Sequence, residues 1–276
     1  MTPAIDHIVL TVRDLPGMTG FYRDALGLAP LDSDGETARL GAGDRPLLEL
    51  RRDPAARPRD PRQAGLFHTA FLLPDRAALA RWLRHAIDNG IRLSGASDHG
   101  VSEAVYLDDP EGNGIEIYRD RPPSDWTRHG DRIEMFTRRL DLDDLLSAAD
   151  GPWRGAPEGS TVGHVHLQVG DLDRAEGFFA ADLGLTRTFD AQGGAWYGWN
   201  GYHHHLAGNT WNSRSAGMRE AGRPGPGSAE PAGLRGLELL LVLGHRLGAA
   251  GAGDRRHEVV HHQGGDRAER DAAEHE

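Results

Sequence analysis

The chain has 276 residues, no cysteine, and 42 acidic against 31 basic side chains, for a formal net charge of −11. That length accommodates two modest domains, and the acidic balance argues against a nucleic-acid surface and supplies no basic membrane patch. The missing cysteines remove disulfides, thiolate nucleophiles and thiolate metal sites, and lysine is also absent, which removes Schiff-base chemistry on that residue. Any metal must therefore be held by His, Asp and Glu, for which 15 histidines are available. No apolar run approaches the ~20 residues of a membrane span and the N-terminus lacks a charged-then-apolar leader, so the expectation is a soluble cytoplasmic protein.

Ile5 to Val12 alternates, with His7, Val9 and Thr11 on one face, and predicts a strand. Asp14 can cap the helix that follows, which carries Leu15, Met18, Phe21, Tyr22 and Leu26 at helical spacing and ends at Gly27. Strands are expected near Thr37 to Leu40 and Pro46 to Arg51, then a Pro- and Arg-rich loop from Asp53 to Arg62. The order recurs: a strand over Leu66 to Leu73 containing His68, and a helix over Asp75 to Asn89 with Leu79, Trp82, Leu83 and Ile87 on one side. Ala104 to Leu107 and Gly114 to Tyr118 then read as a hairpin around the turn Asp109-Pro110-Glu111-Gly112-Asn113. In its second strand Glu116 points away from Ile115 and Ile117.

A larger repeat sits on top of this one. His7-Ile8-Val9-Leu10-Thr11-Val12-Arg13-Asp14-Leu15 is matched without a gap by His164-Val165-His166-Leu167-Gln168-Val169-Gly170-Asp171-Leu172. Phe21 then pairs with Phe178 and Gly27 with Gly184, which signals internal duplication. The organisation expected is a first domain over 5–120, a linker over 121–161 with one helix near Leu140 to Ala149, and a second, incomplete domain over 162–243. Leu237 to Leu243 reads as the strand opening a fourth unit; Ser213 to Gly233 reads as flexible, and 244–276 as an atypical, disordered tail. The fold class expected is α+β, with tandem βαβββ units forming cupped mixed sheets.

If consecutive units share a sheet, the inward side chains of His7, His68 and Glu116 converge. Two His and one carboxylate with open positions form the facial triad of non-haem Fe(II) oxygenases. These three residues and the duplicated βαβββ pattern resemble the vicinal oxygen chelate superfamily, which includes glyoxalase I, fosfomycin-resistance proteins and type I extradiol dioxygenases. Two tandem domains are similar to catechol 2,3-dioxygenases, and His99, Val105, Tyr106, Asp109-Pro110-Glu111-Gly112 and Glu116 resemble the extradiol signature, with Ser97 departing from it. The resemblance implies Fe(II) on His7, His68 and Glu116, His99 as an acid/base, Tyr106 as a hydrogen-bond donor to substrate, and a small aromatic substrate with O2. It is compatible with a homo-oligomer, without nucleic acid or membrane.

Two competing readings stand beside it. Glu49 lies where glyoxalase I places a further carboxylate, so His7, Glu49, His68 and Glu116 would favour Ni, Zn or Mn and a lyase or isomerase. The eroded second domain would instead suit a non-catalytic small-molecule-binding protein. In that domain His164, with His203 and His205 on one face of a strand, offers another chelate.

Overall fold

In the computed structural model of the chain, the described residues are 3–216 and, for the backbone, 237–242. The expectations for 217–233 and for 244–276 lie outside them.

The first unit is β1 (Ala4–Val12), α1 (Leu15–Leu26), β2 (Ala29–Ser33), β3 (Thr37–Ala42) and β4 (Arg45–Arg52). The second is β5 (Gly65–Leu72), α2 (Arg76–Asp88), β6 (Leu93–Asp98), β7 (Ser102–Asp108) and β8 (Gly114–Asp120). A connector carries the two-residue strands β9 (Arg128–His129), β10 (Arg132–Ile133) and β11 (Arg138–Arg139) and the helix α3 (Leu142–Ser147). The third unit is β12 (Thr161–Gln168), α4 (Leu172–Glu176) running on into a π-helical turn over Gly177–Asp182, β13 (Thr186–Ala191), β14 (Gly194–Gly198) and β15 (Leu206–Asn209). β16 (Leu237–Val242) falls where a fourth unit was expected to open.

In all three complete units the first strand runs parallel to the last, and the order outward is first, fourth, third, second. Each unit's helix is capped alike: Asp14, Asp75 and Asp171 accept from Gly17, Ala78 and Arg174 amides. The repeated unit read from the sequence is thus present, and the mixed α+β class follows. β2 escaped prediction because it is an exposed edge strand containing Pro30, with no apolar alternation to detect. Ile87 was expected inside but is 52% exposed; it lies in the last turn of α2, where the chain leaves at the surface through Asn89 and Gly90.

The units do not pair in sequence order. β5 joins β12, so units two and three form a nine-stranded sheet ordered β11-β6-β7-β8-β5-β12-β15-β14-β13. β1 joins β16, giving a five-stranded sheet ordered β16-β1-β4-β3-β2. One apolar core spans both sheets and both long helices. Trp82 of α2 donates its indole N–H to the Ala25 carbonyl of α1 at 3.0 Å.

The Asp109–Asn113 turn ties the sheets together. Asp109 Oδ1 accepts from the Glu111 and Asn113 amides, both at 2.9 Å, while Oδ2 accepts from the buried Tyr22 hydroxyl of α1 at 3.0 Å. Glu111 Oε1 accepts from the Arg13 and Asp14 amides at 2.8 and 3.0 Å. The turn therefore fixes the start of β8, the strand that carries Glu116, against the first unit. Asp109→Ala is expected to cost about 2–3 kcal/mol, because the Tyr22 hydroxyl and turn amides lose a buried acceptor. That corresponds to a fall of about 4–12 °C in melting temperature for a chain of this size. A thermal melt within about 1 °C of wild type would remove the turn from this role.

Candidate metal centre

The nine-stranded sheet has two unlike faces because its strands alternate. Phe71, Val105, Leu107, Ile115, Ile117, Val165 and Leu167 belong to the main core. The other face carries His68, Ala70, Ala104, Tyr106, Glu116, Tyr118, His164 and His166. Register brings three of these together. Ala70 lies opposite Glu116 across the parallel β5–β8 pair and opposite His164 across the antiparallel β5–β12 pair. His68 is one pleat along the same face. The small Ala70 side chain leaves the space above it to its neighbours. Gly114, opposite His68, is required by close approach: a Cβ there would overlap the Phe67 carbonyl.

His68 Nε2 lies 3.1 Å from Glu116 Oε2, His164 Nε2 lies 3.2 Å from the same oxygen, and the two nitrogens are 3.4 Å apart. These three buried residues are the one metal-capable group of three among the described residues. Ligands about 2.1 Å from a common ion stand about 3.0 Å apart on an octahedral face and about 3.4 Å apart on a tetrahedral one. The triangle fits that range, with the common point about 1 Å out of its plane. Burial pushes the His164 imidazole down to about 4, so it is unprotonated at neutral pH. Burial pushes the Glu116 carboxyl up, but His164 and His68 outweigh it and hold it well below the usual carboxylate range. An ionised carboxylate is thereby kept out of water beside a neutral imidazole, a net negative charge that a divalent cation would offset.

The triad is not the expected one. His7 sits on β1, in the other sheet, with Nδ1 at 3.0 Å from Asp6 and a buried Nε2 that has no partner among the described residues. Its unit pairs with β16 rather than β5, so it does not converge with His68. Glu49 stays with it: its two oxygens accept from Arg39 and Arg51 Nε at 2.7 Å each. The His7/Glu49/His68/Glu116 set of a glyoxalase I is therefore not assembled. His164 joins the triad, but His203 and His205 do not, because 199–205 is a turn through Asn200 and Gly201 rather than a strand.

Around the triad the polar side chains are ordered. The Phe136 carbonyl can only accept, so His99 Nδ1 carries the proton directed to it at 2.9 Å. His99 Nε2 then accepts from the Tyr106 hydroxyl at 2.7 Å. Tyr106 pairs with Glu116 in register, and burial followed by the Glu116 charge keeps its phenol protonated. On the opposite side the His204 ring lies 4.1 Å, centroid to centroid, from that of His164. His166, also buried, receives the Asn209 side-chain amide on Nε2 at 3.0 Å.

Residues 4–117 match the Glyoxalase/Bleomycin resistance protein/Dioxygenase superfamily. The chain is 39% identical over 218 residues to a catechol-2,3-dioxygenase of Bacillus subtilis (strain 168), covering 77% of this chain and 76% of that protein. The chain belongs to this superfamily. It is also 33% identical over 129 residues to biphenyl-2,3-diol 1,2-dioxygenase 3 of Rhodococcus globerulus, covering 44% of this chain and 65% of the other. A solved glyoxalase I from Zea mays is 19% identical, with a TM-score of 0.45, covering 77% of this chain and 69% of that one.

As a member of the glyoxalase/bleomycin resistance/dioxygenase superfamily, the chain is an extradiol-dioxygenase-like enzyme with a two-His, one-carboxylate triad. No described helix is long and apolar enough to cross a membrane. The sequence did hold a signal for His164, since it repeats His7, and His7 in turn matches His68. His204 and His166 had no signal of their own: the first sits in an irregular turn, the second is one more inward position on a buried strand.

Proposed function

We propose that this chain is an Fe(II)-dependent extradiol dioxygenase that opens the ring of a catechol with O2. The observation that carries the reading is the buried His68/Glu116/His164 triangle, with donor atoms 3.1 to 3.4 Å apart. It combines with 39% identity to a catechol-2,3-dioxygenase. One catechol and one O2 give one ring-opened semialdehyde: the bond between a hydroxylated carbon and its unhydroxylated neighbour breaks, and both oxygen atoms are retained. Bound iron would supply adjacent open positions for the catechol oxygens and O2 and a path for electrons between them.

The chain's own side chains supply orientation and proton handling. His68, His164 and Glu116 hold the metal. Tyr106, a phenol kept protonated, turns its one O–H from His99 Nε2 to a substrate oxygen when the catechol binds. His99, hydrogen-bonded to it, exchanges a proton through Nε2. His204, whose Nδ1 is taken up by His203, accepts a proton on Nε2 from a catechol hydroxyl. The flanking tyrosines and histidines limit water around the bound ring. The test is anaerobic purification, metal analysis, and O2 uptake with a catechol panel. One iron per chain and a yellow ring-fission product are expected; bound Ni or Zn with hemithioacetal isomerisation and no O2 uptake would overturn the reading.

A further inference from the structure

We propose that Asp120 and His203 are positioning residues that hold His204 in a single tautomer, with the proton on Nδ1 and the lone pair on Nε2. The proposal rests on the function proposed above, in which His204 receives a proton. Asp120 ends β8, four residues after Glu116, and its carboxylate can only accept. It takes the Tyr202 hydroxyl on Oδ2 at 2.8 Å and His203 Nε2–H on Oδ1 at 2.8 Å. Tyr118 in turn donates to the Tyr202 oxygen at 2.9 Å, since Tyr202's own proton is already committed to Asp120.

With a single proton, on Nε2 towards Asp120, His203 presents an acceptor at Nδ1. His204 Nδ1 lies 2.7 Å from that atom and must donate to it. The proton of His204 is then on Nδ1, and Nε2 is left as a bare acceptor. The direction of every hydrogen bond from Tyr118 to His204 thus follows from one carboxylate. The chain is also held rigidly. The His203 side chain is fully buried, its ring packs 4.1 Å from that of Tyr202 and 5.2 Å from that of Trp126, and Thr188 Oγ1 donates to its backbone carbonyl. The triad does not use Asp120, His203 or Tyr202, and no metal ligand bonds to them. A carboxylate only 20% exposed and bonded to these two donors needs another purpose, and fixing the tautomer of the ring beside His164 provides it.

The test uses the full-length chain loaded with diamagnetic Zn(II) and labelled with 15N-histidine. Long-range 1H–15N spectra, assigned with a His204→Asn variant, read the tautomer of His204. Wild type is expected to show the proton on Nδ1. In Asp120→Asn, nearly the same shape, the amide can donate to His203 as well as accept, and His204 is expected to lose its single tautomer. Tyr202→Phe removes the other Asp120 partner and should leave the tautomer unchanged. With iron, Asp120→Asn is expected to lower kcat on the order of 10²-fold, with unchanged KM for catechol and unchanged iron content. A wild-type His204 protonated on Nε2, or an Asp120→Asn chain that keeps both tautomer and kcat, would overturn the proposal. If wild type opens no catechol ring, the functional reading fails, while the spectra still decide the hydrogen-bond order.

Discussion

Replacing His164 with alanine is expected to abolish metal binding, whereas His7→Ala should leave one metal per chain. The contrast follows from which units share a sheet. His164 Nε2 is one corner of the triangle and lies 3.2 Å from Glu116 Oε2. Without it, two ligands remain, and the loss should exceed the about 10- to 100-fold that removing an outer partner of a metal ligand costs. The fold should survive, because Ala70 opposite is already small and the neighbouring Val165 and Leu167 keep their places in the core. His7 occupies the matching position in the five-stranded sheet: Val9 lies opposite Glu49 there as Ala70 lies opposite Glu116 here. That half has been closed by charge. Burial pushes Glu49 up, but the guanidiniums of Arg39 and Arg51 bond both its oxygens and hold it below its ordinary value. Metal analysis of both variants after dialysis decides the matter, with circular dichroism to confirm folding. Equal metal loss in the two would mean that His7 does reach the centre.

The pattern of units was legible because every unit repeats the same local chemistry: an alternating strand, an Asp cap, an amphipathic helix. His68 and Glu116 were legible for the same reason, since period two puts both on the inner face. Which unit pairs with which was not. Strand alternation says which face is inward and nothing about whose edge it meets, and a connector from 121 to 160 is long enough to permit either partner. Choosing the consecutive partner selected His7 in place of His164. The His203–His205 triplet failed for a different reason. Alternation places His203 and His205 together only inside a strand, and the positive φ at Asn200 and Gly201 bends the chain before β15 begins. His203 consequently turns to Asp120, and His204 to His164.

Lowering the pH is expected to unfold the metal-free chain near pH 5, well above the range in which carboxylates alone would do so. Burial pushes His164 down to about 4 and His205 down to about 3, and it pushes His166 and His204 well below their ordinary value. All four are at most 9% exposed, so the accessible surface agrees with that cause. A histidine whose pKa is depressed in the fold stays neutral there, while the unfolded chain takes up a proton near pH 6.5. The unfolded state then binds more protons, so stability is full above about pH 6.5 and falls as pH drops from there towards the folded values. At pH 5.5 each such imidazole favours unfolding by about 1.4 kcal/mol, and at pH 5 by about 2 kcal/mol. Four together reach about 8 kcal/mol, comparable to the whole stability of an ordinary domain. Glu116, held low in the fold, adds loss of the same sign only below its unfolded value near 4.3. Metal bound to His68, His164 and Glu116 competes with protons and should move the transition to lower pH. Urea melts from pH 7.5 to pH 5 measure the slope directly: between pH 6 and pH 5, stability should change with uptake of about three to four protons on unfolding. A slope of one proton or less across that interval would mean that these rings are charged or hydrated in the fold, and the dry, neutral histidine cluster beside the metal centre would have to be given up.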